Sequence, residues 1–208
     1  MSKELWLKRI RNVAGLLGMI LPWIALIGAF LAGPFEWSFW KNLSISETYY
    51  VTPALAAILT SASVVLLCYD GYELKDNIIT TASGIFGMMI VLFPCDCGIA
   101  ESNVGYFQID VEISNKIHCF SAAVFFVLLA INSLFLFTLG ESNTEKKKKR
   151  NLVYRICGIG MIASMLLVII PVSFPAKTFV VEALALSFFG VSWLVKGGFL
   201  GILVDDND

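Results

Sequence analysis

Histidine and charge are scarce in this chain. His118 is the lone histidine among 208 residues, and charged residues make up 15% against 58% hydrophobic ones. One histidine excludes a three-histidine zinc centre. So little charge against so much apolar sequence excludes an ordinary soluble domain. There is no phosphate-binding glycine loop, no serine-hydrolase elbow, no redox motif and no dinucleotide fingerprint. No cofactor is implied. A short basic run against a membrane gives nucleic-acid binding no support.

What the chain does have is long apolar segments. Six stretches, roughly 13–32, 51–69, 78–94, 117–139, 152–174 and 178–203, approach the ~20 residues that a bilayer core requires. Little chain is left over, so residues 1–208 read as one all-α membrane domain, a six-helix bundle. Helices are the spanning element because an open strand would leave peptide groups unpaired in hydrocarbon, and barrel-type alternation is missing. The first run exceeds a secretory leader's core and five more follow, so it reads as a retained helix.

The cations are divided by side. Lys3, Lys8, Arg9, Arg11, Lys75, Lys146, Lys147, Lys148, Lys149, Arg150 and Arg155 flank the N-terminus and the second and fourth loops, whereas Lys41, Lys116 and Lys177 lie in the other three. The positive-inside rule then predicts a multi-pass protein of the cell membrane with both termini, including the 204–208 tail, in the cytoplasm. Lys196 is expected to snorkel to the inner interface. Trp37, Trp40, Tyr49, Tyr50 and Tyr106 would mark the outer interface, and Tyr69, Tyr72 and Tyr154 the inner one.

Small residues four apart, Ala14/Gly18, Ser83/Gly87 and Gly197/Gly201, predict close helix approach. The last pair serves either internal packing or self-association, so a homo-oligomer or a membrane-protein partner stays open. Thr60, Ser61, Ser63, Asn132, Ser133 and Ser164 can bond across helices.

Polar groups gather at the outer end. The first outer loop runs through Ser44, Ser46 and Glu47, and the second carries Asp96, Glu101, Asp110 and Glu112 before Ser114, Asn115, His118 and Ser121. Glu182 lies about one turn inside the sixth span. Ser44, Ser46, Glu47, His118, Ser121 and Glu182 are therefore the candidate ligand-binding set. His118, Glu47 and Glu182 are the candidates for catalysis, since a histidine base needs a carboxylate nearby. The plainer alternative makes His118 a tie between its helix and the Ser46–Glu47 loop. Cys95 or Cys97 would pair with Cys119 in a disulfide, or all three stay free; adjacent-but-one cysteines do not bond each other without strain. Lys146, Lys147, Lys148, Lys149 and Arg150 form a cytoplasmic run that either meets anionic lipid headgroups or only sets topology.

The order of these features, with Ser44-Ile45-Ser46-Glu47 before the second span and His118-Cys119-Phe120-Ser121-Ala122-Ala123-Val124-Phe125-Phe126 opening the fourth, resembles the FRAG/DRAM/SFK family of six-span membrane proteins or a related bacterial family. The acid that eukaryotic members carry on entering the second span is absent at Thr52-Pro53-Ala54. The resemblance implies involvement with membrane lipids and brings no settled catalytic mechanism. The expectation is a non-catalytic protein that binds lipid or a small ligand at its outer face. A lipid-modifying enzyme using His118 is the alternative, and a small channel or transporter a third.

Overall fold

A computed structural model of the chain describes residues 2–71, 73–98, 102–140, 144–201 and 203, so the expectations for Tyr72, Glu101 and the 204–208 tail fall outside the described residues. The architecture is all-helical, with 76% helix. A two-residue antiparallel ladder, Asn103–Val104 against Ile109–Asp110, breaks the helical pattern in the loop before the fifth helix.

Seven helices follow in order: α1 (Lys3–Ala32), the short α2 (Trp37–Asn42), α3 (Ala54–Leu67), α4 (Leu74–Leu92), α5 (Val111–Ile131), α6 (Glu145–Ile169) and α7 (Lys177–Gly197). Side-chain caps start several of them. Ser2 accepts from the Leu5 amide, Asp110 from the amides of Glu112 and Ile113, and Thr144 from that of Lys147. Each oxygen satisfies a donor that the first turn leaves unpaired.

The six longer helices pack as a ring in chain order, α1 against α3, then α4, α5, α6 and α7, which closes back on α1. Successive members run in opposite directions. One end, here the basic end, holds the start of α1, pinned by the Lys3–Asp70 ion pair at 2.9 Å after α3. The other, the cap end, holds the 41–52 loop, where the Ala176 amide donates to Lys41 O and the Phe179 amide to Leu43 O.

Among the described residues four helices are long and apolar enough to cross a membrane: α1, α5 with its extension to Leu136, α6 and α7. Two segments differ from the six-run expectation. α3 is 14 residues long because Pro53 starts it and Cys68 ends it. α4 has 19 residues but opens with Lys75, Asp76 and Asn77. The outward faces are apolar: Trp23, Ile27, Phe30, Phe120, Phe135, Ile159 and Leu166 are all more than half exposed. Such apolar outward faces are compatible with insertion into a membrane.

Inside, Tyr69, Trp193, Phe137 and Tyr154 meet edge-on at the basic end, and Phe189 packs tilted on Trp193. This corrects the expectation for Tyr69 and Tyr154, which are buried at 4% and 2% exposure and cannot anchor an interface. Tyr69 instead accepts from Arg11 at 2.8 and 3.1 Å. Lys196 is corrected too. Its ammonium points inward, donating to Phe137 O at 3.1 Å over the rings of Phe137 and Tyr154.

α1 and α7 touch backbone to backbone. A Cβ on Gly15 would stand 2.9 Å from Gly190 O and 3.0 Å from the Leu194 amide, and main chain cannot step aside as a side chain can. Gly15→Val should therefore cost about 1–3 kcal/mol by overpacking, read as a lower melting temperature in detergent. Gly18 likewise lies against Phe189, and Gly87 against Ser63. Gly197 packs on Asn12 within the bundle, whereas Gly201 has nothing within 4 Å. Of the hydroxyls expected to bridge helices, Ser133 does so, to Ser192 at 2.8 Å.

Candidate functional site

The site at the cap end starts with a missing donor. In a helix the carbonyl of Ile90 would accept from the amide four residues on, but residue 94 is proline and has no N–H. His118, on the second turn of α5, supplies it: Nδ1 lies 3.1 Å from Ile90 O and 2.9 Å from Phe93 O. With two carbonyl oxygens before it, Nδ1 must carry the hydrogen, which fixes the tautomer. Nε2 is thereby aimed the other way, 3.0 Å from Ser46 Oγ.

Ser46 is the hub. Its hydroxyl donates to Glu182 Oε1 at 3.1 Å, and Glu182 Oε2 accepts from the Ile45 amide at 2.6 Å. Proton counting defines the states of this chain. One serine proton cannot serve both neighbours. If it points at a Glu182 carboxylate, His118 Nε2 must also be protonated to complete its contact. If Glu182 is protonated and donates to Ser46, the serine turns to a neutral His118. Both arrangements are uncharged overall, and they differ by one step of a proton along Glu182–Ser46–His118.

The surrounding loops hold the hub in place. Ser44 Oγ accepts from the Glu47 amide at 2.9 Å, and Thr48 donates to Ile45 O at 2.6 Å. Across the gap, Tyr50 donates to Cys95 O, Ser114 to Pro94 O, and the Asp96 amide to Asn115 Oδ1, tying the loop after α4 to the start of α5.

A cavity of about 420 Å³ opens beside the triad. Ser44, Ser46, Glu47, Asp96, His118 and Glu182 form its polar part, and Ala122, Phe126, Met165 and Val168 its apolar wall. None of its described lining residues is lysine or arginine. A smaller hollow of about 40 Å³, lined chiefly by Leu21, Leu55, Leu59 and Phe125, continues from Ser46 and Glu182 toward the bundle core.

No family model, curated protein or solved structure matches the chain.

Five of the six candidate binding residues meet at this cavity. Ser121 does not, being fully buried with its hydroxyl turned into the packing. The Ile45 amide and the carbonyls of Ile90 and Phe93 were not anticipated; of these only Ile90 O had a sequence signal, Pro94 four residues later. Of the two alternatives for the outer cysteines, the structure shows the one without a disulfide: Cys95, Cys97 and Cys119 line the cavity unbridged, and Cys119 donates to Asn115 Oδ1. Burial pushes the Cys95 thiol above its ordinary value, which keeps it an unreactive neutral group.

Glu47 is 9% exposed, and burial raises its carboxyl pKa against the lowering effect of its bond to Ser44. A carboxyl raised on folding lowers stability as pH climbs from its ordinary value to its raised folded one, keeps that cost above both, and has no effect below the ordinary one. Glu47→Gln should therefore melt higher than the unchanged protein at neutral pH, with the difference vanishing below the ordinary carboxylate range.

Proposed function

We propose that the chain is a six-span protein of the cell membrane with cytoplasmic termini, and that its outer cavity binds a lipid through an uncharged or cationic headgroup bearing hydroxyl or amine donors. Membership of the FRAG/DRAM/SFK family is part of this proposal. The observation that carries it is the two-part lining of the cavity: three carboxyl groups, Glu47, Asp96 and Glu182, with no lysine or arginine among the described residues, and an apolar wall of Ala122, Phe126, Met165 and Val168. Carboxylates repel phosphate alone and attract donors and cations, while the wall suits an acyl chain. In this proposal α3 and α4 supply the remaining two spans, with outward faces at Val64, Ile78 and Ile85 toward lipid and the polar turn Lys75–Asn77 at the inner interface, where water and headgroups satisfy it.

Native mass spectrometry of detergent-purified protein tests the reading. Ala122→Phe fills the cavity without touching the triad, and should remove a lipid that co-purifies with the unchanged protein. A lipid retained in the filled variant, or none in either, overturns it.

One observation favours a second reading. Ser46 Oγ stands 3.0 Å from an oriented imidazole nitrogen, within the reach a nucleophile and its base need. The protein would then hydrolyse lipid esters through Ser46: His118 takes the serine proton as Oγ bonds the acyl carbon and returns it to the departing alcohol, and water, deprotonated by the same imidazole, then releases the acyl group as a carboxylic acid. Labelling of Ser46 by a fluorophosphonate, abolished in His118→Gln, would support it.

A further inference from the structure

We infer that the hollow beyond Ser46 and Glu182 is a length-selective pocket, which rests on the headgroup chemistry proposed above and takes a straight apolar group of about three carbons next to the ligand's donor atom. Four residues, Ser46, Ala122, Phe126 and Glu182, line both this hollow and the larger cavity, and so form the neck between them. Beyond the neck the wall comes from five helices, with Leu21 on α1, Leu59 on α3, Ile90 on α4, Phe125 on α5 and Leu186 on α7. All five are 5% exposed or less, so the space lies in the core of the bundle.

Interiors are close-packed, and a void forfeits dispersion contacts along its lining. A sealed packing fault would be apolar throughout, whereas this hollow is apolar inside and polar at its neck. Two bonds, from the Ile45 amide and the Ser46 hydroxyl, leave the Glu182 carboxyl with acceptor capacity to spare. An amine or hydroxyl held there sends what it carries either outward or through the neck. Water fills the interior poorly, because a buried water needs about 2–4 polar partners and the lining side chains beyond the neck are apolar. A hydrocarbon group instead gains about fourfold in affinity for each methylene taken out of water. The gain ends where the space does. At ~10–15 Å³ for each water-sized group, a hollow of about 40 Å³ takes about three carbons. A long acyl chain is left to Met165 and Val168 outside the neck.

A homologous series tests the pocket. Titrate the detergent-purified protein with straight-chain primary ammonium ions from methyl to hexyl, and take each affinity from the thermal shift at graded concentrations. Affinity should climb about fourfold per carbon as far as propyl and then level or fall. Leu59→Ala opens the wall and should move that break to pentyl or hexyl, whereas Leu59→Phe should move it down to methyl or ethyl. Lost stability would weaken every member alike and cannot shift the break in opposite directions. Leu55→Ala, on the same wall, gives the same readout should Leu59→Ala not fold. A steady climb through hexyl in every variant would mean partition onto apolar surface and overturn the pocket. So would a break that stays at propyl in all variants, or no stabilisation by any member. The lipid reading fails separately: a break at propyl with no co-purified lipid in the unchanged protein would keep the pocket, for a water-borne short amine, and overturn the lipid. A co-purified lipid stripped by Ala122→Phe, with no break in the series, would do the reverse.

Discussion

Changing His118 to leucine should lower stability in detergent sharply, and adding Pro94→Ala should restore part of the loss. The leucine leaves the carbonyls of Ile90 and Phe93 without the donor that now lies within 3.1 Å of both. A buried polar group stranded in this way costs about 1–3 kcal/mol. Alanine at position 94 brings back the amide hydrogen that a helix would offer Ile90. In the unchanged background His118 already fills that role, so Pro94→Ala alone gains little there. The four proteins form a double-mutant cycle read by thermal unfolding, with a coupling of about 1 kcal/mol expected. Strict additivity would sink the account of His118 as a substitute for the missing amide.

Glu182 should separate its two conservative replacements cleanly. Glu182→Ala deletes the acceptor for the Ile45 amide and the partner of Ser46 together. Bonds to a charged group are worth about 1.5–3 kcal/mol, and the 44–47 loop should lose its anchor on α7. Glu182→Gln should be tolerated. Its amide oxygen still accepts from Ile45, and its amide nitrogen donates to Ser46, which then turns its hydroxyl to a neutral His118. The glutamine thus reproduces the protonated arrangement of the triad. Thermal unfolding of both variants decides the matter, and equal destabilisation would mean that the hydrogen-bond circuit is not what the carboxyl serves.

The small residues at Gly18 and Gly197 marked surfaces of close approach, without saying that α1 and α7 meet there or that Gly15 and Gly190 bring their backbones together. The long apolar helices were legible because hydropathy is a sum over many residues. The lengths of α3 and α4 were less so, since Pro53 and the polar turn at Lys75–Asn77 set them locally. At the cap end, Ser46, Glu182 and His118 stood out as polar groups at the edges of apolar runs. Spacing alone misled at Ser121. Three residues from His118, it shares a broad side of α5, but nothing in the sequence says which neighbour that side meets. The run at 146–150 looked like uniform surface charge, although the helical period already divides half-buried Lys147 and Arg150 from exposed Lys148 and Lys149. Lys196 was misjudged because its acceptor, Phe137 O, owes its position to an irregularity in α5.

That irregularity is a single π-turn. Over Asn132–Leu136 the Phe137 amide donates to Asn132 O, five residues back, at 2.9 Å. The turn accommodates one residue more than an α-helix would, and one residue is about 100° of rotation. It therefore gives the end of the helix an angular setting of its own, with Phe137 turned to Lys196 while His118, about five turns earlier, stays aimed at the cap. Removing one residue there would re-aim Phe137 while leaving His118 untouched. The position of Lys196's acceptor is thus set by the last turn alone, and the geometry at one end of the bundle is mechanically separate from the hydrogen-bond chain at the other.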